Sequence, residues 1–211
     1  MNKNEKFVVT INREMGTGGR SVGRKLAERL NVKYYDKAVI EGLTKKFGTS
    51  VESIEQMKAQ KASWWNNIDQ FFKDNQYSDI VEQNNLMTNE NVIKAEREIL
   101  HDLAKEESCV VAGRSGFLIF KDTPNHLSVF IQASMESRIE RVMRRQNISR
   151  KEAMAVIEKV DEGRENFIKK NAKTTRYDTR NYDLVIRMDG LTEDDAVDII
   201  MNYIDRISKE Q

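Results

Sequence analysis

Several features that would mark particular classes of protein are scarce in this sequence. A single cysteine, Cys109, excludes an internal disulfide, and its place in an apolar run is typical of a buried small residue rather than a nucleophile. With only two histidines, His101 and His126, a zinc site built from cysteine and histidine is not expected.

The chain also carries almost no net charge, because its 211 residues include 35 lysines and arginines and 34 aspartates and glutamates. The formal charge of +1 provides no overall field that would attract nucleic acid or an anionic membrane. No apolar run approaches the roughly 20 residues of a membrane span, and the start of the chain lacks the apolar core of a secretory signal. We therefore expect a cytoplasmic protein that binds neither nucleic acid nor membrane.

The sequence does contain a glycine-rich stretch near its start. The run Phe7–Ile11 predicts a strand, and Val22, Leu26 and Leu30 recur at helical spacing. A glycine loop between strand and helix binds phosphate when its N–H groups turn toward the anion and the helix N-terminus adds positive charge. The alternative is a strand-to-helix turn that binds nothing.

This loop departs from the usual phosphate-binding pattern G-x-x-x-x-G-K-[ST]. With Gly18 aligned to the second glycine, Arg13 stands at the first glycine, and Gly19 and Arg20 stand at the lysine and hydroxyl positions. Ser21 follows one residue later. A cation and a hydroxyl are therefore both present but displaced.

Further apolar runs at 32–35, 108–112, 127–131 and 182–187 bring the tally to four or five short strands separated by helices. This order predicts a parallel α/β sheet with right-handed crossovers. Helices are expected after the glycine loop and at 92–107, 135–146, 150–170 and 193–207. The predicted N-caps of the last three are Ser134, Ser149 and Thr192, the last forming a capping-box-like pair with Asp195.

Polar residues follow two of these strands at their carboxyl ends, which is where parallel sheets bind ligands. Asp36 ends the second strand, and it equally suits the N-cap of a helix that begins at Lys37. Arg114 follows the 108–112 run and is placed for bidentate binding of phosphate or carboxylate, with a structural ion pair as the alternative.

Arginine predominates on one side of the 135–146 helix, at Arg138, Arg141, Arg144 and Arg145. This face is either solvated or suited to gripping an anion. In the next helix, Asp161 and Arg164 either pair with each other or reach into a site. The segment 171–181 is expected to form a flexible loop.

Residues 37 to about 107 contain no proline and are expected to be mainly helical. Ile40, Leu43 and Phe47 form one apolar stripe, Ser50 and Ser53 suit a new N-cap, and 75–91 suits a mobile connection. The aromatic stretch 63–72, with Trp64 and Trp65, fits a packed face, the wall of a base-binding pocket or a dimer surface.

In their order, these pieces resemble the cytidylate kinase-like family of P-loop nucleoside monophosphate kinases. The matching segments are TINREMGTGGRSVGRKLAERL, YYDKAVI, VVAGRSGFLIF, VFIQASMESRIERVMRR, KVDEGRENF and RNYDLVIRMDGL. The resemblance implies one kinase domain with a three-layer P-loop fold. Its core would be 1–36, 108–146 and 182–211, with a helical acceptor-binding insertion at about 37–107 and a lid at about 147–181.

The resemblance also implies ATP-dependent phosphorylation of CMP or dCMP, with Mg²⁺, by a monomer or homodimer. The ATP phosphates would contact Arg13, Gly16, Thr17, Gly18, Gly19, Arg20 and Ser21, and the Ser21 hydroxyl would bind the metal. Catalytic charge would come from Arg20, Arg138 and Arg164. The acceptor would lie against Asp36, Arg114, Ser115, Asp161 and Arg180.

Three departures from the family pattern bear on the substrate. Gly19 replaces the P-loop lysine, whose charge Arg13 or Arg20 would have to supply, and Ser115 replaces an aspartate. The acceptor-side insertion is helical and carries tryptophans. The alternatives to a CMP kinase are a kinase for another small acceptor, a nucleotide-binding regulatory protein with little turnover, and an interaction protein that uses Trp64 and Trp65.

Overall fold

The computed structural model describes residues 1–36, 40 and 90–208. Within them the strands and helices are β1 (Val8–Arg13), α1 (Gly19–Leu30), β2 (Lys33–Asp36), α2 (Glu90–Glu106), β3 (Cys109–Ala112), α3 (Gly116–Ile119), β4 (His126–Gln132), α4 (Met135–Gln146), α5 (Arg150–Asn171), a 3₁₀ turn (Thr179–Asn181), β5 (Leu184–Arg187) and α6 (Glu193–Ser208).

The chain divides into two compact units, Met1–Tyr35 with Ala104–Gln211, and Asp36–Leu103. In the second unit, Ile40 and the α2 side chains Ile99, Leu100 and Leu103 are buried. The predicted features at Leu43, Phe47, Ser50, Ser53, 63–72 and 75–89 lie outside the described residues.

The strands form one all-parallel sheet in the order β2-β3-β1-β4-β5, which confirms the predicted fold class. Strand β1 is central, with Val9 opposite Val110 of β3 and Leu127 of β4. Apolar side chains of α1 and α6, including Leu26 and Ile200, share one buried core with the sheet. The glycine loop therefore leaves the middle strand of the sheet at its carboxyl end.

The predicted caps are present. Ser134 accepts a hydrogen bond from the Ser137 N–H, and Ser149 forms a full capping box with Glu152. At the start of α6, the Thr192 N–H donates to the Asp195 carboxylate at 2.8 Å. These local signals fix where the helices begin, so the chain leaves the sheet at defined points.

One short helix, α3, was not predicted. It follows three consecutive residues with positive φ, namely Gly113 (+83°), Arg114 (+52°) and Ser115 (+55°). A left-handed conformation is uncommon for arginine and serine, and such strain often occurs at functional sites. The turn places Arg114 directly after the buried strand β3.

The structure bears on the predicted burial of Cys109 and on the expected lack of a membrane span. Cys109 is fully buried and burial raises the pKa of its thiol to about 12, which confirms it as a core residue. No helix in the described ranges is both long enough and apolar enough to cross a membrane.

We expect His126 to make the protein acid-sensitive. Its Nε2 lies 2.7 Å from the Thr10 hydroxyl, and burial lowers the pKa of the imidazole from 6.5 to about 4. Below pH 6.5 the unfolded chain gains a proton that the folded chain does not, so stability falls by up to about 3 kcal/mol between pH 6.5 and 4.

Urea unfolding at pH 7 and pH 4.5 checks this expectation with His126→Gln, which cannot titrate. The wild type should lose about 2 to 3 kcal/mol more than the variant over this interval. An equal loss in the two proteins would show that His126 is not the group responsible.

Candidate functional site

The glycine loop spans 14–18, between β1 and α1. Gly16 and Gly18 have φ values of +87° and +81°, a conformation that favours glycine. Gly18 is the N-cap of α1 and makes no side-chain capping bond, in contrast to the serine caps of α4 and α5. The Gly18 cap contributes no side chain, and the first N–H of α1, that of Gly19, donates to the Thr17 hydroxyl at 3.4 Å. Backbone N–H groups at the start of a helix are the groups that bind anions.

The side chain of Arg13 lies where two glycines leave room for it. A Cβ added at Gly19 would lie 2.8 Å from the Arg13 Cβ, and one at Gly113 would lie 2.0 Å from the Arg13 Nη1. Arg13 is 7% exposed. The glycine at the lysine position and the arginine at the strand end are thus coupled, because the Arg13 stem occupies the space beside Gly19.

The arginine face of α4 packs on the loop. Arg138 Nε donates to the Met15 carbonyl at 2.8 Å, and a Cβ at Gly16 would lie 2.8 Å from the Arg138 carbonyl oxygen. The Arg141 guanidinium lies against Gly18, and Arg145 Nη2 lies 3.4 Å from the Ser21 hydroxyl. This face is therefore neither wholly solvated nor an empty anion site, because Arg138 and Arg141 contact the loop itself.

The last two arginines of that helix are exposed, and Arg145 contacts α1 through Ser21. Arg144 is exposed on the surface of α4. Arg141 also pairs with the Glu193 carboxylate at the start of α6. The arginine side of α4 therefore divides into Arg138 and Arg141, which contact the loop, and Arg144 and Arg145, which are exposed.

Asp161 of α5 is the centre of a buried charge cluster. Its Oδ1 accepts the Met15 N–H at 2.9 Å and lies 3.4 Å from Arg164 Nη1 and 3.3 Å from Arg176 Nη1. Its Oδ2 pairs with Arg138 Nη2. The carboxylate thus joins the loop to three arginines, and Asp161 both pairs with Arg164 and lies at the site.

Residues of the cluster also contact the last residue of β1 and the first residue of the loop. Arg164 Nη1 donates to the Arg13 carbonyl at 3.2 Å, and Arg176 Nη2 donates to the same oxygen. Glu14 pairs with Arg138 at 3.2 Å and accepts the Ala133 N–H. Three guanidinium groups meet two carboxylates here, and Arg13 adds another buried cation, so the surroundings of the loop favour an anion.

The other predicted site residues near the loop and after β3 are buried or partly buried. Thr17 is buried and its hydroxyl donates to the Glu14 carbonyl at 3.0 Å. Arg20 is partly buried in the first turn of α1. Arg114 and Ser115 are partly buried in the left-handed turn after β3.

Two predicted acceptor contacts are not brought to the loop by the described contacts. Asp36 ends β2 and is only 3% exposed, but it belongs to the second unit. The Arg180 side chain is 87% exposed and pairs with Asp178 at 2.7 Å. Their roles toward an acceptor stay predictions.

Sequence reasoning did not single out Glu14 or Arg176. Glu14 is one residue of the predicted glycine loop with no signal of its own, and Arg176 lies in a segment of weak periodicity that is expected to be a flexible loop. The structure fixes the middle of that segment, because the Arg176 side chain is 1% exposed. No local pattern marks a residue whose partners are 15 and 163 positions away.

The profile of the cytidylate kinase-like family matches residues 8–190. The chain belongs to the cytidylate kinase-like family. It is 26% identical to a cytidylate kinase of Alkaliphilus oremlandii over 93% of this chain and 96% of the relative. It is 24% identical to a shikimate kinase of Mannheimia succiniciproducens, over 66% of this chain and 65% of the relative.

Solved structures share the fold. An uncharacterized protein from Eubacterium ventriosum has a TM-score of 0.70 at 25% identity, over 95% of this chain and 99% of that protein. A gluconokinase from Sinorhizobium meliloti has a TM-score of 0.52 at 14% identity, over 97% of this chain and 95% of that protein. A shikimate kinase from Bacteroides thetaiotaomicron has a TM-score of 0.51 at 14% identity, with 94% and 98% covered. This family member therefore shares its fold with P-loop kinases whose names indicate two different acceptors, shikimate and gluconate.

We expect Gly113→Ala to weaken polyphosphate binding by displacing Arg13. The new Cβ would clash with the guanidinium, and the positive φ adds a strain of about 1 kcal/mol. Gly190→Ala is the matched control, because Gly190 has a φ of +79° and nothing within 4 Å of an added Cβ.

Thermal unfolding of both variants measures the cost of the backbone strain. Titration with tripolyphosphate measures the effect of the clash with Arg13 on anion binding. Both variants should lose similar stability, and only Gly113→Ala should lose affinity for the anion. An equal affinity in the two variants would contradict the position assigned to Arg13.

Proposed function

We propose that the protein is an ATP-dependent kinase of a nucleoside monophosphate, with CMP or dCMP as the leading acceptor. The observation that carries the proposal is the glycine loop at the end of the central strand. The loop leads into the N-terminus of α1 and has five arginines around it, Arg13, Arg138, Arg141, Arg164 and Arg176. Membership in the cytidylate kinase-like family and the match to a cytidylate kinase over most of both chains support it.

The ATP phosphates would lie along the loop, against the N–H groups from Gly16 to Ser21. Arg13 would supply the charge that lysine gives in the usual P-loop, since Gly19 leaves the space for its stem. Arg138 and Arg164 would stabilise the charge of the transferring phosphoryl group, together with Arg20. Arg114 and Ser115, with Asp36, Asp161 and Arg180, are the proposed acceptor contacts.

Mg²⁺ would be held by the Ser21 hydroxyl with oxygens of the nucleotide and water. A hydroxyl oxygen at the start of α1 is a suitable donor for this ion, which usually keeps few protein ligands. When bound, the ion neutralises charge on the phosphates. The protein's own contribution is to hold both phosphates in line and to exclude water, and no covalent intermediate with the protein is needed.

Of the two candidates for the lysine role, we expect Arg13 to matter more. Arg13 is buried beside the loop, and its removal would leave a gap between Gly19 and Gly113. Arg13→Ala should weaken ATP binding by at least tenfold, and Arg20→Ala by clearly less. Isothermal titration with Mg-ATP measures both, with Arg29→Ala as an exposed control. A larger loss in Arg20→Ala would reverse the assignment.

Release of ADP from Mg-ATP across a panel of nucleoside monophosphates tests the function itself. Stimulation by CMP or dCMP above basal hydrolysis is the expected result. Because one relative is a shikimate kinase, shikimate belongs in the panel, and stimulation by it alone would keep a kinase and change the acceptor. ATP binding without stimulation by any acceptor would favour the regulatory alternative.

A further inference from the structure

Arg176 is a buried arginine that has no part in the proposed chemistry. It lies in the irregular segment between α5 and β5, and its side chain is 1% exposed. Arginine is almost never buried to this extent unless it is paired. The partners of Arg176 therefore indicate what it does.

The guanidinium contacts the strand end directly before the glycine loop and a carboxylate that itself contacts the loop. Nη2 donates to the carbonyl of Arg13, the last peptide of β1, and Nη1 lies 3.3 Å from Asp161 Oδ1. The same Asp161 oxygen accepts the Met15 N–H at 2.9 Å. Arg176 and Asp161 thus hold the first turn of the loop from its carbonyl side and its N–H side together.

Aromatic rings fix the orientation of this guanidinium. Its Cζ lies 5.8 Å from the ring centre of Phe130 and 5.3 Å from that of Tyr177, and these two rings meet edge to face at 6.0 Å. Cation–π attraction is strengthened where water is excluded. A lysine would keep the charge but would lose the planar fork that reaches two acceptors at once.

The backbone of Arg176 is anchored independently of its side chain. Its N–H donates to Glu165 Oε2 at 3.2 Å, and its carbonyl accepts the Tyr182 hydroxyl at 2.8 Å. Tyr182 in turn accepts the Asn12 amide at 2.5 Å, which leads back to β1. Burial would raise the pKa of Glu165, but hydrogen bonds from Thr175 and from the Arg176 N–H outweigh it and lower that pKa.

We propose that Arg176 is a positioning residue that sets the shape of loop 14–18 through the Arg13 carbonyl and Asp161. This inference rests on the proposed function and deepens it. A loop that is already held in one shape binds phosphate without the cost of ordering it at that moment. Arg176 acts on the nucleotide only through the loop, since both of its terminal nitrogens are engaged by protein oxygens.

Hydrogen exchange of the protein without nucleotide tests this role directly. In Arg176→Lys, amides of a peptide covering 13–18 should exchange at least tenfold faster, while those of β4 stay unchanged. Arg29→Ala, which removes an exposed guanidinium that pairs with Asp198, should leave the loop amides unchanged. The affinity for tripolyphosphate should fall at least fivefold in Arg176→Lys and not in Arg29→Ala.

Asp161→Asn provides the second variant. It should speed amide exchange in the same peptide. The double variant should exchange no faster than the faster-exchanging single variant, because both changes break the same contact between Arg176 and Asp161. Loop exchange within twofold of wild type in Arg176→Lys, or effects that multiply in the double variant, would overturn the proposal.

Two further outcomes are decisive. If Arg176→Lys does not fold, Tyr177→Leu keeps both hydrogen bonds and removes one ring, and it should speed loop exchange severalfold; unchanged exchange would overturn the proposal. If wild-type protein fails to bind ATP, the kinase proposal fails, whereas the exchange of the loop still decides the role of Arg176.

Discussion

The buried carboxylate of Asp161 determines how most charged groups around the glycine loop are arranged. Arg138, Arg164 and Arg176 reach it from three different segments, and the loop donates the Met15 N–H to it. Removing one partner from a buried ion pair leaves an uncompensated charge, which typically costs about 3 to 5 kcal/mol. The carboxylate and the arginines therefore depend on one another, and the loop takes its shape from their meeting point.

A second constraint couples the choice of residue at three positions. Arg13 lies in the space beside Gly19 and against Gly113, so side chains at either glycine position would displace it. We propose that the positive charge which lysine supplies at the start of the helix in the usual P-loop is supplied here by Arg13, at the end of the central strand. On this proposal, the glycine at the lysine position and the buried arginine belong to one arrangement.

Local features of the sequence were sufficient to predict most of the fold. The apolar runs predict all five strands to within two residues, and Ser134, Ser149 and Thr192 mark the starts of three helices as expected. These features depend on neighbours within one or two turns, so periodicity and capping reveal them. The short helix α3 was missed because its preceding turn uses left-handed backbone at Arg114 and Ser115, which no residue type there announces.

The site could be predicted only in part. The glycine loop, Arg138, Asp161 and Arg164 follow from pattern and resemblance, and the structure brings all of them together. Arg176 and the space that Arg13 fills depend on contacts between distant segments, and a single sequence carries no signal for such contacts. The aromatic stretch 63–72 lies outside the described residues, so its predicted role is unchanged.

We propose that a glycine loop without the usual lysine binds the phosphates of ATP in this protein. The most direct measurement is a titration of the ¹⁵N-labelled protein with Mg-ATP, followed through its backbone amide resonances. Saturable shifts that are largest at Gly16, Gly18, Gly19 and Arg20 are the predicted result. Binding that leaves these amides unshifted, or no binding at millimolar ATP, would contradict the claim.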